Sequence, residues 1–194
     1  MKHHIRQKEI IECTRRIITG KGMEALTIRE LARELRLTEG AIYRHFRSKK
    51  EIVELLIRDI ERTLLEAIGQ AMEGEGDPVQ RLRRVFASHV SYVEKRKGVS
   101  FAIINETINI KDKRLQKLML GVIDRYLEKI RDLLAAGIKS GRFRKNIDLR
   151  ASGISFFGLI QSLVTVWALS GYEPSVIRQH MPKMFEQYIE GVIR

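Results

Sequence analysis

Residues Thr27–Phe46 read TIRELARELRLTEGAIYRHF, and this stretch decides the fold. Ile28, Leu31, Ala32 and Leu35 recur at three- and four-residue spacing, the period of one helix face. Thr27 followed three residues later by Glu30 has the form of a capping box, in which each side chain bonds the other's backbone N–H. A short helix from Glu39 to Phe46 follows, and the few residues between leave room only for a tight turn. Small Ala32 suits the point where the two helices cross. Leu31, Leu35, Leu37 and Ile42 supply the inner face. The start and outer face of the second helix then carry Thr38, Glu39, Gly40, Ala41, Tyr43, Arg44 and His45. That is the layout of a helix-turn-helix, whose second helix enters the major groove while the first crosses the backbone.

The exposed residues divide by chemistry. Gly40 and Ala41 are small enough for the backbone to approach bases, and the Ala41 methyl suits a thymine methyl. Arg44 and His45 can donate to guanine N7 or O6, or to phosphate, and the rigid Tyr43 hydroxyl suits a phosphate oxygen. Thr27 and the N–H groups it leads can hold a phosphate, with Arg29 adding charge beside it. Ser48 and Lys49 offer the same arrangement on the other flank. Phosphate contacts supply affinity and base contacts specificity.

Charge supports a polyanionic partner. The 194-residue chain has a net charge of +12, and residues 1–50 alone hold 13 Lys and Arg against 6 Asp and Glu. A basic excess of this size favours nucleic acid first and an anionic membrane surface second. With 44% hydrophobic and 31% charged residues, the composition is that of a soluble globular chain. The one cysteine, Cys13, allows no intrachain disulfide, so a cytoplasmic setting is expected. Cys13 shares an apolar face with Ile10 and Ile17 and reads as a small buried hydrophobe. No signal-peptide pattern opens the chain. The most apolar stretch, Ile154 to Leu169, is shorter than the ~20 residues of a membrane span and reads as a buried helix, with no membrane partner.

The rest of the chain also reads as helix. A first helix is expected from about His3 to Thr19, stopped by Gly20 and Gly22. Ser48 and Glu51 form a second capping box opening a long helix to Met72, with Ile52, Leu56, Ile60 and Leu64 inward. Glu73 to Asp77 is a loop, and Asp77-Pro78 opens a helix that stops at Gly98. Helices follow over about Val99–Asn109, Asp112–Ser140, Leu149–Ser170 with Asp148 as cap, and Ser175–Ile193. Pro182 is expected to kink or split the last. The fold class is all-α. A three-helix N-terminal helix-turn-helix domain (residues 1–47) precedes a C-terminal helical domain for effector binding and dimerisation (residues 48–194).

The segment Gly22 to Glu51, with its pattern E-L-A-x-x-L-x-L-T-x-G-A-I-Y-R-H-F-x-S-K-K-E, resembles the tetracycline-repressor (TetR) family. The resemblance implies an Ω-shaped homodimer, a small-molecule pocket in the C-terminal domain and repression relieved by ligand. It also implies that Thr27, Thr38, Tyr43, His45 and Lys49 are DNA contacts. Arg36 departs from the pattern, because it stands in the turn where the family favours Gly or Asn. A left-handed residue there would cost an arginine roughly 1–2 kcal/mol. Either the turn differs or Arg36 gains a compensating phosphate contact.

A symmetric dimer reads two half-sites about 34–36 Å apart and needs an apolar surface. The Leu149–Ser170 helix is apolar nearly all round, so one face can serve the core and another a partner. Leu159, Leu163 and Val166, with Ile177, Met181, Phe185 and Tyr188 from the last helix, are the expected interface. Aromatic and sulfur side chains of the middle helices (Phe86, Tyr92, Phe101, Met119, Tyr126, Phe156 and Trp167) are the expected lining for an apolar or aromatic effector. His89, Asn105 and Gln161 would be its polar anchors.

A catalytic reading finds little support. His3, His4, His45, His89 and His180 do not pair with a carboxylate at close helical spacing, and no phosphate loop, H-E-x-x-H or nucleophile elbow occurs. His3-His4 reads as a frayed terminus. No enzyme activity, cofactor or metal is expected. Two other readings compete: an architectural or nonspecific DNA protein, and a helical enzyme or carrier with a vestigial N-terminal unit.

Overall fold

The computed structural model describes the backbone of residues 2–193 and the side chains of residues 7–193. The side chains of His3 and His4 lie outside the described residues. Nine α-helices are found among the described residues: α1 (Lys2–Lys21), α2 (Ile28–Glu34), α3 (Glu39–Tyr43), α4 (Lys49–Met72), α5 (Pro78–Lys95), α6 (Val99–Ile110), α7 (Lys113–Lys139), α8 (Leu149–Leu169) and α9 (Pro174–Glu190). They form two compact units, Met1–Glu61 with Arg96–Leu120, and Arg62–Lys95 with Gly121–Arg194. These units do not follow the expected division at residues 47 and 48. The N-terminal part of α4, α6 and the start of α7 belong with α1–α3.

In the first unit, Leu26, Leu31, Ile42, Ile52, Val53 and Ile57 have no exposed surface, and Ile17 and Leu56 have almost none. Ala32 is buried, as its place at the crossing of α2 and α3 requires. Cys13 is fully buried as a free thiol, the inert hydrophobe expected of it. Asp59 of α4 is buried too, and its carboxylate pairs with the Arg15 guanidinium of α1. A buried carboxylate needs such a partner, because leaving its charge unpaired costs several kcal/mol or so.

The second unit is built on α5, α8 and α9, which pack on one another. Leu82, Val85, Phe86, Phe156, Ile160, Leu163, Phe185 and Ile189 fill its centre. Asp77 and Asp148 act as expected. The Asp77 carboxylate accepts from the Gln80 N–H at 2.9 Å, and Asp148 accepts from Arg150 and Ala151 at 2.8 and 2.9 Å. α4 ends where the Arg84 guanidinium donates to the carbonyls of Ala71, Glu73 and Glu75 at 3.1, 3.1 and 3.3 Å. The Ala71 carbonyl is one that the helix end leaves without a partner, and the other two belong to the loop that follows.

α9 runs through Pro182 as one helix, so of the two outcomes expected there the split does not occur. Two expectations about the helices need correction. α3 ends at Tyr43 rather than Phe46, because the chain turns there: the His45 and Phe46 N–H groups both donate to the Ile42 carbonyl, at 2.8 and 2.9 Å, and Phe46 turns inward. α8 has 21 residues and is long and apolar enough to cross a membrane, rather than too short for one. Its apolarity has two destinations. One face packs on α5 and α9, while Ile154, Val166 and Leu169 stay exposed, so it is a half-buried helix.

Candidate nucleic-acid interface

The turn between α2 and α3 is set by backbone hydrogen bonds. The Leu37 N–H donates to the Ala32 carbonyl at 2.9 Å, and the Arg36 N–H to the Arg33 carbonyl at 3.2 Å. This is the Schellman arrangement, which needs a left-handed residue at Arg36's position. Arg36 supplies it with φ 53°, where the corresponding turn after α7 uses Gly141 at φ 74°. The turn therefore does not differ from the expected one, and the arginine bears its strain. The Arg36 side chain is exposed. Replacing Arg36 with glycine is expected to raise stability by about 1 kcal/mol, and, if Arg36 makes the phosphate contact expected of it, to weaken DNA binding. Thermal melts and a binding titration on one preparation test both signs.

α2 and α3 are each capped by a threonine. Thr27 Oγ accepts from the Glu30 N–H at 3.0 Å, and Thr38 Oγ from the Ala41 N–H at 3.1 Å. The first capping box thus forms by half. The Glu30 carboxylate turns to Arg33 and Lys21 instead, and these two cations hold its pKa down to about 2. The second box is displaced. The Glu51 carboxylate reaches the backbone N–H of Arg47 at 2.8 Å, one residue ahead of Ser48. α4 begins at Lys49.

The exposed side of this unit carries most of the expected contacts. Thr27, Arg29, Arg36, Thr38, Glu39, Gly40, Tyr43 and Arg44 are exposed, and Tyr43 keeps 51% of its surface. His45 and Ser48 are half-buried. Two residues depart from expectation. Ala41 is only 7% exposed, so its methyl fills the inner side of α3 and is not free for a thymine methyl. Lys49 is already engaged: its ammonium pairs with Glu106 of α6 at 2.9 Å and donates to the Met23 carbonyl at 3.2 Å. It can reach a phosphate only by giving up those partners.

The expected effector residues fall in both units. Phe101, Asn105 and Met119 belong to the first, and Asn105 is exposed, so it anchors nothing in a closed site. The other seven belong to the second. There Phe86 meets Phe156 and Phe185 at 5.5 and 5.6 Å between ring centroids, and Tyr126 meets Phe157 at 5.6 Å. His89 lies against Tyr126, its Nδ1 sharing a hydrogen bond with the phenol oxygen at 3.1 Å. Burial depresses the His89 pKa to about 3 and pushes the Tyr126 hydroxyl up. The Tyr92 hydroxyl pairs with Thr63 at 2.8 Å. Trp167 is buried, and its indole N–H has no hydrogen-bond partner among the described residues.

Of the expected interface residues, Leu163, Ile177 and Phe185 are buried in their own unit, where α5, α8 and α9 pack on one another and Phe185 meets Phe86. Val166 is 53% exposed, and its neighbour Leu169, which was not among the residues expected there, is 84% exposed. Leu159, Met181 and Tyr188 are half-buried. Tyr188 donates to the Ser152 carbonyl at 3.0 Å. Beside Val166 lies an apolar recess of about 210 Å³, lined by Ser162, Leu163, Val166, His180 and Met184. Sequence reasoning missed His180 and Met184. Their spacing on α9 shared with Met181 and Phe185 gave no sign of which side of the helix was left uncovered.

A capped helix-turn-helix with an exposed aromatic and cationic second helix, followed by a larger helical unit, defines a DNA-binding regulator of the helix-turn-helix class. Comparison with known proteins narrows the class. Residues 10–56 match the family described as bacterial regulatory proteins, tetR family, and residues 58–191 match the YsiA-like protein, C-terminal region. The chain belongs to the TetR family of transcription regulators. Among curated relatives, the nucleoid occlusion factor SlmA of Vibrio vulnificus is 26% identical over 130 residues, 66% of each chain. That of Shewanella amazonensis is 29% identical over 128 residues, 64% of this chain and 65% of the relative. The matched part thus spans just under two thirds of these relatives' length. Among solved structures, the TetR-family regulator PfmR of Thermus thermophilus superposes with TM-score 0.77 at 26% identity, covering 96% of each chain. FadR of Bacillus subtilis, solved with stearoyl-CoA, has the same fold, with TM-score 0.81 at 19% identity over 95% of this chain and 98% of that one.

Proposed function

We propose that this protein is a ligand-responsive repressor that binds a palindromic operator as a homodimer and leaves it when a small apolar or aromatic effector binds. The observation that carries the reading is α3, capped by Thr38 and presenting exposed Tyr43 and Arg44 directly after the Arg36 turn. Base contacts come from Arg44 and the backbone at Gly40, and phosphate contacts from Thr27, Arg29, Tyr43 and His45. Footprinting of the DNA upstream of the protein's own gene is expected to show one protected palindrome. Tyr43→Ala and Arg44→Ala are each expected to cost about 1–3 kcal/mol of operator affinity, roughly fivefold to 150-fold. If both variants bind the palindrome as wild type does, the reading fails.

The exposed apolar surface of α8 supports the dimer. Ile154, Val166 and Leu169 cost solvation free energy in a lone subunit and can pack against the same face of a second. Gly158 and Ser162 between them are small and exposed, so two such helices can approach closely. Sedimentation at micromolar concentration is expected to show a dimer, and a monomer would overturn the claim. The unpaired indole N–H of Trp167 and the buried His89–Tyr126 pair support an effector in the second unit. A buried donor without a partner costs about 1–3 kcal/mol, which an acceptor on a ligand would recover. α4 begins in the first unit and ends in the second as one 24-residue helix, an element through which effector binding can act on α3. An effector does so only by binding the two states with different affinity.

The names of the curated relatives favour a second reading, a DNA-bound factor in nucleoid occlusion. Under it, protected palindromes lie scattered over the chromosome rather than at a promoter.

A further inference from the structure

In the first unit, the described residues other than glycine that adopt left-handed backbone are all cations: Arg36 (φ 53°), Lys97 (φ 46°) and Lys111 (φ 55°). Each is exposed. Glycine takes this conformation without strain, whereas a residue with a Cβ does not. Lys111 ends α6, and the surroundings of this lysine are well defined. Asp112, the next residue, accepts from the N–H groups of Arg114 and Leu115 at 3.0 and 3.2 Å, which caps α7. Its other oxygen takes the Lys50 ammonium at 2.9 Å. Arg114 pairs with Glu54 at 3.0 Å, and Glu106 with Lys49 at 2.9 Å. The junction of α6 and α7 is thereby fastened to the first turns of α4, immediately after Ser48.

These pairings move the free charge. Lys49 and Lys50, which the sequence places beside the helix-turn-helix, are neutralised by Glu106 and Asp112. Lys111, Lys113 and Lys117 are exposed and form no ion pair with a described residue. Lys113 and Lys117 stand one helical turn apart on the same face, where like charges repel. Exposed ammonium groups on long stems act as point charges and match a row of phosphates.

We propose that Lys111, Lys113 and Lys117 form a second, sequence-independent contact with duplex phosphates, outside the helix-turn-helix. The inference rests on the DNA-binding reading above. Anisotropy titrations over a salt series, on the operator and on a scrambled duplex of equal length, test it. Lys111→Gly removes one charge and releases backbone strain. The expected result is a melting temperature about 2–5 °C higher together with weaker binding to both duplexes. A residue of merely structural importance would not move these in opposite directions. Lys113→Gln with Lys117→Gln touches exposed side chains only and guards against a folding defect at Lys111. With all three lysines replaced, the slope of log affinity against log salt falls by up to about 2.7, and the ratio between operator and scrambled duplex stays as in wild type. An unchanged slope overturns the proposal. So does intact DNA binding accompanied by lost binding to phosphatidylglycerol vesicles, which would make the patch a membrane contact. Arg44→Ala, run in parallel, separates the two readings. If wild type binds neither duplex, the DNA-binding reading itself has failed. If Arg44→Ala loses operator preference while the lysine variants keep the full slope, only this inference has.

Discussion

Gly137→Ala is expected to destabilise the protein by about 3 kcal/mol, the upper end of the usual cost of overpacking a core. Gly137 lies in α7, and a Cβ there would sit inside the Phe143 ring, with Cγ of that ring only 2.8 Å away. The ring cannot step aside. Phe143 is fully buried, and its backbone N–H donates to the Gly137 carbonyl at 3.0 Å. The next residue is fixed as well: the Arg144 N–H donates to Val192, and its guanidinium to the carbonyls of Ile193 and Glu190, at 3.0, 2.8 and 2.7 Å. The ordinary gain from replacing a helical glycine by alanine, about 1 kcal/mol, is too small to offset the clash. Phe143→Ala alone is expected to cost about 3–5 kcal/mol by leaving a cavity. The double variant should be more stable than the sum of the two losses, because the added methyl then occupies vacated space. Urea unfolding of the four proteins measures this, and a Gly137→Ala variant as stable as wild type would show that the ring does not pack on α7.

His89 should make the fold sensitive to mild acid. Burial lowers its folded pKa to about 3, against an unfolded value near 6.5. Above pH 6.5 the imidazole is neutral in both states and costs nothing. As pH falls below 6.5 the unfolded chain binds a proton that the folded one refuses, so stability drops by about 1.4 kcal/mol per pH unit until the folded pKa is reached. Between pH 6.5 and 5, before most carboxylates titrate, the loss from this one group is about 2 kcal/mol. Glutamine can keep a hydrogen bond to the Tyr126 hydroxyl and does not titrate. His89→Gln should therefore flatten the stability profile in that window, even if it lowers stability at pH 7.5. Parallel slopes for the two proteins would mean that His89 is solvated when folded.

Much of this protein could be read from its residues in order. The helices from α4 to α8 were foreseen to within a few residues, because long amphipathic runs bounded by Asp-Pro, Asp and Gly signals leave little choice. The threonine cap of α2 was equally plain, whereas Thr38, which caps α3, reads from the sequence only as an exposed residue at the helix start. The misses have a common cause. Sequence spacing offers Glu30 the Thr27 N–H and Glu51 the Ser48 N–H, and the place of Lys49 beside the motif offers it a phosphate, yet each takes a different partner. The partners of Lys49 and Glu30 include residues of other helices or of the loop before α2, and spacing along one helix carries no information about those.

The helix-turn-helix and the all-helical character follow from the sequence itself, since the positions of apolar, capping and turn residues act over three or four residues. Which face of an apolar helix is covered does not follow. Ile154 and Ile160 of α8 are the same residue type, yet the first is half exposed and the second buried, because only one faces α5 and α9. Arg36 joins the two levels. Its presence in the turn was visible at once, but only the backbone showed that it takes the strained left-handed conformation rather than altering the turn. Local preference is an average over contexts, and here the capping hydrogen bonds from Arg36 and Leu37 back to α2 hold the left-handed turn in spite of it.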